Sequence, residues 1–180
     1  MQFSDKINSV RKTKKPSWLK TTIKTGNNFS EIKSMVKAGN LHTVCEEALC
    51  PNIFECWDRR SATLMILGDV CTRSCGFCNV KTGKPNWNDS DEPRRTALAV
   101  RQMGLKHCVI TSVNRDELSD GGSGVWASTV DEIRKVNPNC TIEVLIPDMK
   151  NEDGPLTKIF ASKPEILGHN METVERLYDE

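Results

Sequence analysis

From residue 63 onward, short apolar runs alternate with amphipathic stretches, and that alternation predicts an α/β fold whose parallel strands are covered by helices. Two further observations point the same way. The runs are near-continuously apolar, as buried parallel strands are, and acidic residues, prolines and glycines fall where the intervening helices should start and stop. An open doubly wound sheet and a barrel both satisfy this pattern.

Taken in order, the chain opens with a basic arm. Residues 1–40 hold nine Lys/Arg against two Asp/Glu, although the net charge of all 180 residues is only +1. Aromatics are sparse there and no nucleic-acid motif follows, so the arm reads as a solvated leader, with the PSWLK stretch (residues 16–20) as an apolar anchor for an acidic partner. Next, NNFSEIKSMVKAGN predicts an amphipathic helix with Phe29, Ile32, Met35 and Val36 near one face and Gly39-Asn40 as its stop. Strands are predicted over 63–69, 107–113, 141–147 and 165–170. Helices are predicted over 90–104, with Pro93 early and Gly104 at the end, over 123–137, closed by Pro138, and over 156–162, with a fourth beginning at 171–178. The expected division is an N-terminal extension over 1–60 and a β/α core over 61–180. Four such units do not close a barrel, so the expectation is a small open sheet or a piece of a larger protein.

A composition of 37% hydrophobic and 27% charged residues fits a globular chain with one core. No apolar stretch approaches the roughly 20 residues that span a bilayer, and the polar start lacks the apolar centre of a secretory signal. A cytoplasmic location without membrane contact is expected. In a reducing compartment the eight cysteines point to metal before disulfides. Cys108 and Cys140 stand apart and read as small core residues; the other six fall between positions 45 and 78.

The stretch CTRSCGFC places Cys71, Cys75 and Cys78 on one loop just beyond the first strand, with spacers of three and two residues. Reactive groups of β/α proteins gather at that end of the sheet. Three thiolates hold three irons of a cubane 4Fe-4S cluster and leave the fourth iron open, whereas electron carriers supply four ligands. A zinc site with its fourth ligand elsewhere is the other metal reading. Gly76 lets the loop turn tightly, and Phe77 is placed to shield a cluster from water. Upstream, CEEALCPNIFEC carries Cys45, Cys50 and Cys56 with spacers of four and five residues.

The C-x3-C-x2-C loop after the first strand resembles that of the radical S-adenosylmethionine (SAM) superfamily. Together with the upstream C-x4-C-x5-C group, and with GDVCTRSCGFCNVKTGKP, ITSVNRDELSDGG, EVLIPDMK and GHNMETVERLY, it resembles the lipoyl synthase family from about Thr43 to Tyr178. The resemblance implies a partial (β/α) barrel of the radical SAM type, truncated after about four β/α units. It also implies two 4Fe-4S clusters: a SAM-binding one on Cys71, Cys75 and Cys78, and an auxiliary one on Cys45, Cys50 and Cys56.

By the same resemblance, deoxyadenosyl radicals from SAM abstract hydrogen from carbons 6 and 8 of a protein-bound octanoyl group, and the auxiliary cluster donates the two sulfurs. Thr111, Ser112, Asn114, Glu143 and Asn170 fall where SAM or substrate would be contacted, although each also fits a cap or turn role. Arg115 and Asp116 read equally well as an ion pair holding their loop. The implied partners are octanoylated lipoyl carrier domains of 2-oxoacid dehydrogenases, the glycine cleavage H protein, and a donor such as ferredoxin or flavodoxin. The family continues to a C-terminal Arg-Ser-Ser-Tyr segment whose serine completes the auxiliary cluster, so the chain reads as an N-terminal portion. Biotin synthase-like enzymes share the 71–78 loop but not the upstream group, and a non-catalytic zinc module is the rival from another class.

Overall fold

A computed structural model of the chain describes residues 26–86 and 89–177, with Pro16, Trp18 and Ile23. The rest of the basic arm and of its PSWLK stretch, and Tyr178, lie outside the described residues. The elements in chain order are α1 (Asn27–Ala38), β1 (His42–Thr43), α2 (Val44–Glu47), α3 (Ile53–Asp58), β2 (Thr63–Ile66), β3 (Val70–Cys71), β4 (Lys81–Thr82), α4 (Glu92–Met103), β5 (His107–Ser112), α5 (Ser123–Val136), β6 (Thr141–Ile146), α6 (Asp153–Ala161) and β7 (Ile166–His169).

Strands β2, β5, β6 and β7 pair in parallel in that order, and β1 joins the far side of β2 antiparallel, so the sheet runs β1-β2-β5-β6-β7. Each parallel strand lies beside the next in sequence. A doubly wound sheet would reverse its order at a switch point; this one advances in a single direction, the winding of a barrel wall. Helices α4, α5 and α6 pack side by side as one layer, consistent with crossovers of constant hand.

The two faces of the sheet therefore differ. Leu64 and Ile66 of β2, Cys108 and Ile110 of β5, and Ile142, Val144 and Ile146 of β6 are buried in one hydrophobic cluster with Val100 and Met103 of α4, Trp126, Val130 and Ile133 of α5, and Ile159 of α6. The alternate residues Val109, Thr111, Glu143 and Leu145 are only half-buried. The cluster also takes in Ile32, Val36, Cys45 and Trp57, so the segment before β2 shares the core of the sheet. Phe29 stacks on Phe54 and leans on Trp57, which fastens α1 to α3.

The strand and helix positions follow the predictions within a few residues, with one exception. Residues 171–178 were expected to begin a fourth helix, and the described part forms only a single 3₁₀ turn, Glu175–Leu177. Met171 is 84% exposed and Val174 55% exposed. A stretch left mostly exposed over 171–177 lacks the packing that stabilises most protein helices. Cys108 and Cys140 are buried in the core as expected, and burial pushes both thiols up.

Candidate active site

The chain leaves β2 through a turn that aims it at the cysteine loop. Leu67 and Gly68 both have positive φ, +69° and +88°, a conformation that a leucine adopts only when its surroundings hold it. Three groups do so. The buried carboxylate of Glu92, in the first turn of α4, accepts the Leu67 and Gly68 amides at 2.8 and 3.3 Å. Arg115, also buried, donates through Nη1 to the Leu67 carbonyl at 3.0 Å. Gly122, itself at φ +87°, leaves room for the Leu67 side chain, which a Cβ at that position would meet at 2.5 Å. Burial raises the Glu92 carboxyl above its ordinary range, against the two amides that favour its charged form.

The loop itself is framed by β3 and β4, which pair in parallel, and by the Gly83 amide bonding the Cys71 carbonyl at 2.9 Å. Cys71 is half-buried, and its Sγ accepts the amides of Arg73 at 3.5 Å and Asn114 at 3.4 Å. Cys75 and Cys78 are exposed. Burial raises the Cys75 thiol, and the neighbouring Cys78 and Cys71 push it the same way. Phe77 is 66% exposed.

All three cysteines open onto a cleft of about 580 Å³ at the C-terminal ends of β5, β6 and β7. Four of the five residues singled out in the sequence line it: Thr111, Ser112, Asn114 and Asn170. The Thr111 hydroxyl is spent on the Leu145 carbonyl at 2.9 Å. Ser112 Oγ is buried and finds no hydrogen-bond partner among the described residues, an orphan of the kind that asks for a ligand. Among the described residues only the 3₁₀ turn Glu175–Leu177 follows β7, so Asn170 caps no α-helix there. Glu143 is the exception: near the start of β6, it lies outside the cleft lining and pairs with His107 at 3.1 Å.

The cleft also holds residues that the sequence reading missed. His169 lines it and bonds the Ile146 carbonyl through Nδ1 at 2.8 Å. Arg73 and Asp148 line it as a salt bridge. Asp116, for which an ion pair with Arg115 was one of two equal readings, takes Arg73, while Arg115 takes Glu117.

The upstream triad is built differently. Cys45 lies in α2, capped by the Thr43 hydroxyl accepting the Glu46 amide at 3.2 Å; Cys50 follows α2, and Cys56 lies in α3. Cys45 is buried, and Cys50 and Cys56 are half-buried. The Cys56 thiol is raised by burial and next by Cys45 and Cys50, so the three sit within electrostatic reach of one another.

Whether these triads suit iron–sulfur clusters is a question of donors. Among the described residues no three Cys, His, Asp or Glu side chains are gathered tightly enough for one metal ion. A cubane spreads its thiolates over separate irons, whereas a zinc ion draws its ligands around one centre. Two amides already aimed at Cys71 Sγ, thiols that raise one another within each triad, and an orphan hydroxyl in the adjoining cleft fit a cluster with a small polar ligand beside it. Among the described residues no helix is long and apolar enough to cross a membrane.

Comparison with known proteins agrees with this geometry. The family model for the N-terminal domain of lipoyl synthase of the radical SAM family matches residues 2–50. The lipoyl synthase of Halalkalibacterium halodurans is 57% identical over 165 residues, covering 91% of this chain and 54% of that protein. Those of Rubrobacter xylanophilus and Symbiobacterium thermophilum are 54% and 53% identical, over 91% and 93% of this chain and 51% and 52% of theirs. The chain thus spans about half the length of the curated relatives it matches. Over 91–93% of its residues, then, the chain is similar to about half of a lipoyl synthase.

Proposed function

We propose that this chain supplies the two cluster-binding triads and much of the SAM cleft of a lipoyl synthase, which inserts sulfur at carbons 6 and 8 of an octanoyl group carried on a lipoyl carrier domain. The observation that carries the reading is the cleft: a three-cysteine loop and the ends of three parallel strands open onto one cavity. Bound at Cys71, Cys75 and Cys78, a 4Fe-4S cluster supplies an open iron and the electron that cleaves SAM, and a second one at Cys45, Cys50 and Cys56 supplies the sulfur.

The chain's own residues do the positioning. The Asn114 and Arg73 amides orient Cys71 Sγ, and hydrogen bonds to cluster sulfurs are a lever on reduction potential. Ser112 Oγ and Asn170 offer polar contacts to SAM at the cleft wall, while Met65, Val113 and Leu145 give the same wall an apolar surface that keeps water from a reactive intermediate. Octanoylated domains of 2-oxoacid dehydrogenases or of the glycine cleavage H protein would present the substrate, and a ferredoxin or flavodoxin the electron.

Anaerobic reconstitution with iron and sulfide, followed by electron paramagnetic resonance with and without SAM, tests this. About eight irons per chain with a reduced signal that changes on adding SAM is the expected result. Zinc bound in place of iron, with no SAM-dependent signal, would overturn it.

A further inference from the structure

Arg73 makes more directed contacts than any cysteine beside it. Its Nε and Nη2 bond the two oxygens of Asp116 at 2.9 Å each, and its Nη1 and Nη2 bond those of Asp148 at 2.7 and 2.8 Å. One guanidinium thus grips two carboxylates in paired fashion, the geometry a planar fork provides and an ammonium does not. Both partners belong to loops at strand ends, Asp116 after β5 and Asp148 after β6.

These loops are themselves shaped around the contact. The Thr72 amide and hydroxyl reach the Asn114 carbonyl at 3.1 Å each, and the hydroxyl lies 2.7 Å from Asp116 Oδ2. Met149 and Lys150 both have positive φ, +47° and +56°. Asp148 Oδ1 accepts the Lys150 amide at 3.1 Å, and Lys150 Nζ bonds the Asp116 carbonyl. Two left-handed residues in succession are held only where their surroundings over-determine them, and here they turn Asp148 toward Arg73 and Lys150 toward Asp116. Each carboxylate is kept below its ordinary range first of all by Arg73.

We infer that Arg73 is a positioning residue: it ties the cysteine loop to the β5 and β6 loops and so fixes how Cys71, Cys75 and Cys78 would present a cluster to the cleft. This rests on the reading of Cys71, Cys75 and Cys78 as a cluster site. With its charge already shared by two carboxylates, the guanidinium acts on SAM through the loop and not by direct contact.

The test compares the full chain with R73Q, R73K and D148N. In the metal-free chains, amide hydrogen exchange across residues 71–83 should quicken about tenfold in R73Q and R73K and less in D148N, which keeps the Asp116 arm. Exchange in α5 should stay at the parent rate. After reconstitution the iron content should match the parent, because every thiol remains, yet the SAM-induced change in the reduced resonance signal should need about tenfold more SAM or vanish. Parent-like loop exchange in R73Q would overturn the tether. Faster exchange with an unchanged SAM titration would overturn the positioning role. If R73Q fails to fold, D148N carries the same two readouts. A parent that binds iron nowhere on the loop, while the exchange contrast persists, would instead overturn the cluster reading on which the positioning role depends.

Discussion

Cys45 and Cys56 ride on two short helices and Cys50 on the turn between them, closed by local bonds such as the Cys50 amide on the Cys45 carbonyl at 3.1 Å and the Ser61 amide on the Cys56 carbonyl at 2.8 Å. Cys71, Cys75 and Cys78 sit on a loop whose main ties reach 43 and 75 positions along the chain, to Asp116 and Asp148. The first triad is backed by the core through Cys45 and Trp57, whereas the second projects into a cleft with two thiols exposed. The difference matches what each is proposed to do. A cluster used as a sulfur source needs a scaffold that survives its loss, and local helices persist without distant help once packed. A cluster that must aim one iron at a ligand needs its direction fixed relative to the strands that bind that ligand.

The sharpest way to break this comparison is to remove one thiol from each triad. Cys75→Ala should reduce the iron of the reconstituted chain from about eight to about four and abolish SAM cleavage and the SAM-dependent signal. Cys50→Ala should bring a similar loss of iron yet leave SAM cleavage intact while sulfur insertion stops. Equal loss of SAM cleavage in both, with folding preserved, would end the division of labour.

A smaller effect separates the scaffolds. Trp57 is fully buried between α1 and the core, and Trp57→Ala should destabilise the chain by about 3–5 kcal/mol in chemical denaturation. In native conditions hydrogen exchange should then quicken in 44–58 more than in 71–83. The reverse order would mean that the first triad is not the one resting on this packing.

The smallest expected effect is one of pH. Asp116 and Asp148 have carboxyls lowered mainly by Arg73. A depressed carboxylate stabilises above its unfolded range and loses that contribution as pH falls through its folded value. Loop protection should therefore persist at mildly acid pH and fade only below the ordinary aspartate range of about 3.9. Protection in 44–58, which lacks this grip, should not show the same step; a shared step would assign it to global unfolding.

What the sequence disclosed, and what it withheld, divides along the same line. Strands β2, β5, β6 and β7 were legible because their apolar runs are local signals, and the two cysteine groups stood out because their spacing is local. That Thr111, Ser112, Asn114 and Asn170 reach one cleft follows from their place at strand ends. Glu143 shows the limit of that logic: it was assigned to a strand correctly, but it lies near the N-terminal end, a level below Leu145 and the cleft. β1, with two residues, is too short for any period. The Arg73 grip was invisible because nothing in a linear reading brings residue 73 to residue 148, and Glu92 read as an ordinary first-turn acid although its carboxylate turns back to hold Leu67 and Gly68.

The single layer of helices over the sheet has a consequence for how this chain tolerates change. Ile110 and Thr111 are adjacent in sequence, yet one is fully buried beneath the helices and the other faces the cleft. Over Cys108–Thr111 of β5 and along β6 the chain thus writes two interleaved messages, one for cohesion at even positions and one facing away from the helices at odd positions. Cleft-facing residues can be exchanged to alter what is bound at little expense to folding, and those facing the helices cannot. A one-residue insertion in β5 would swap the two messages at once.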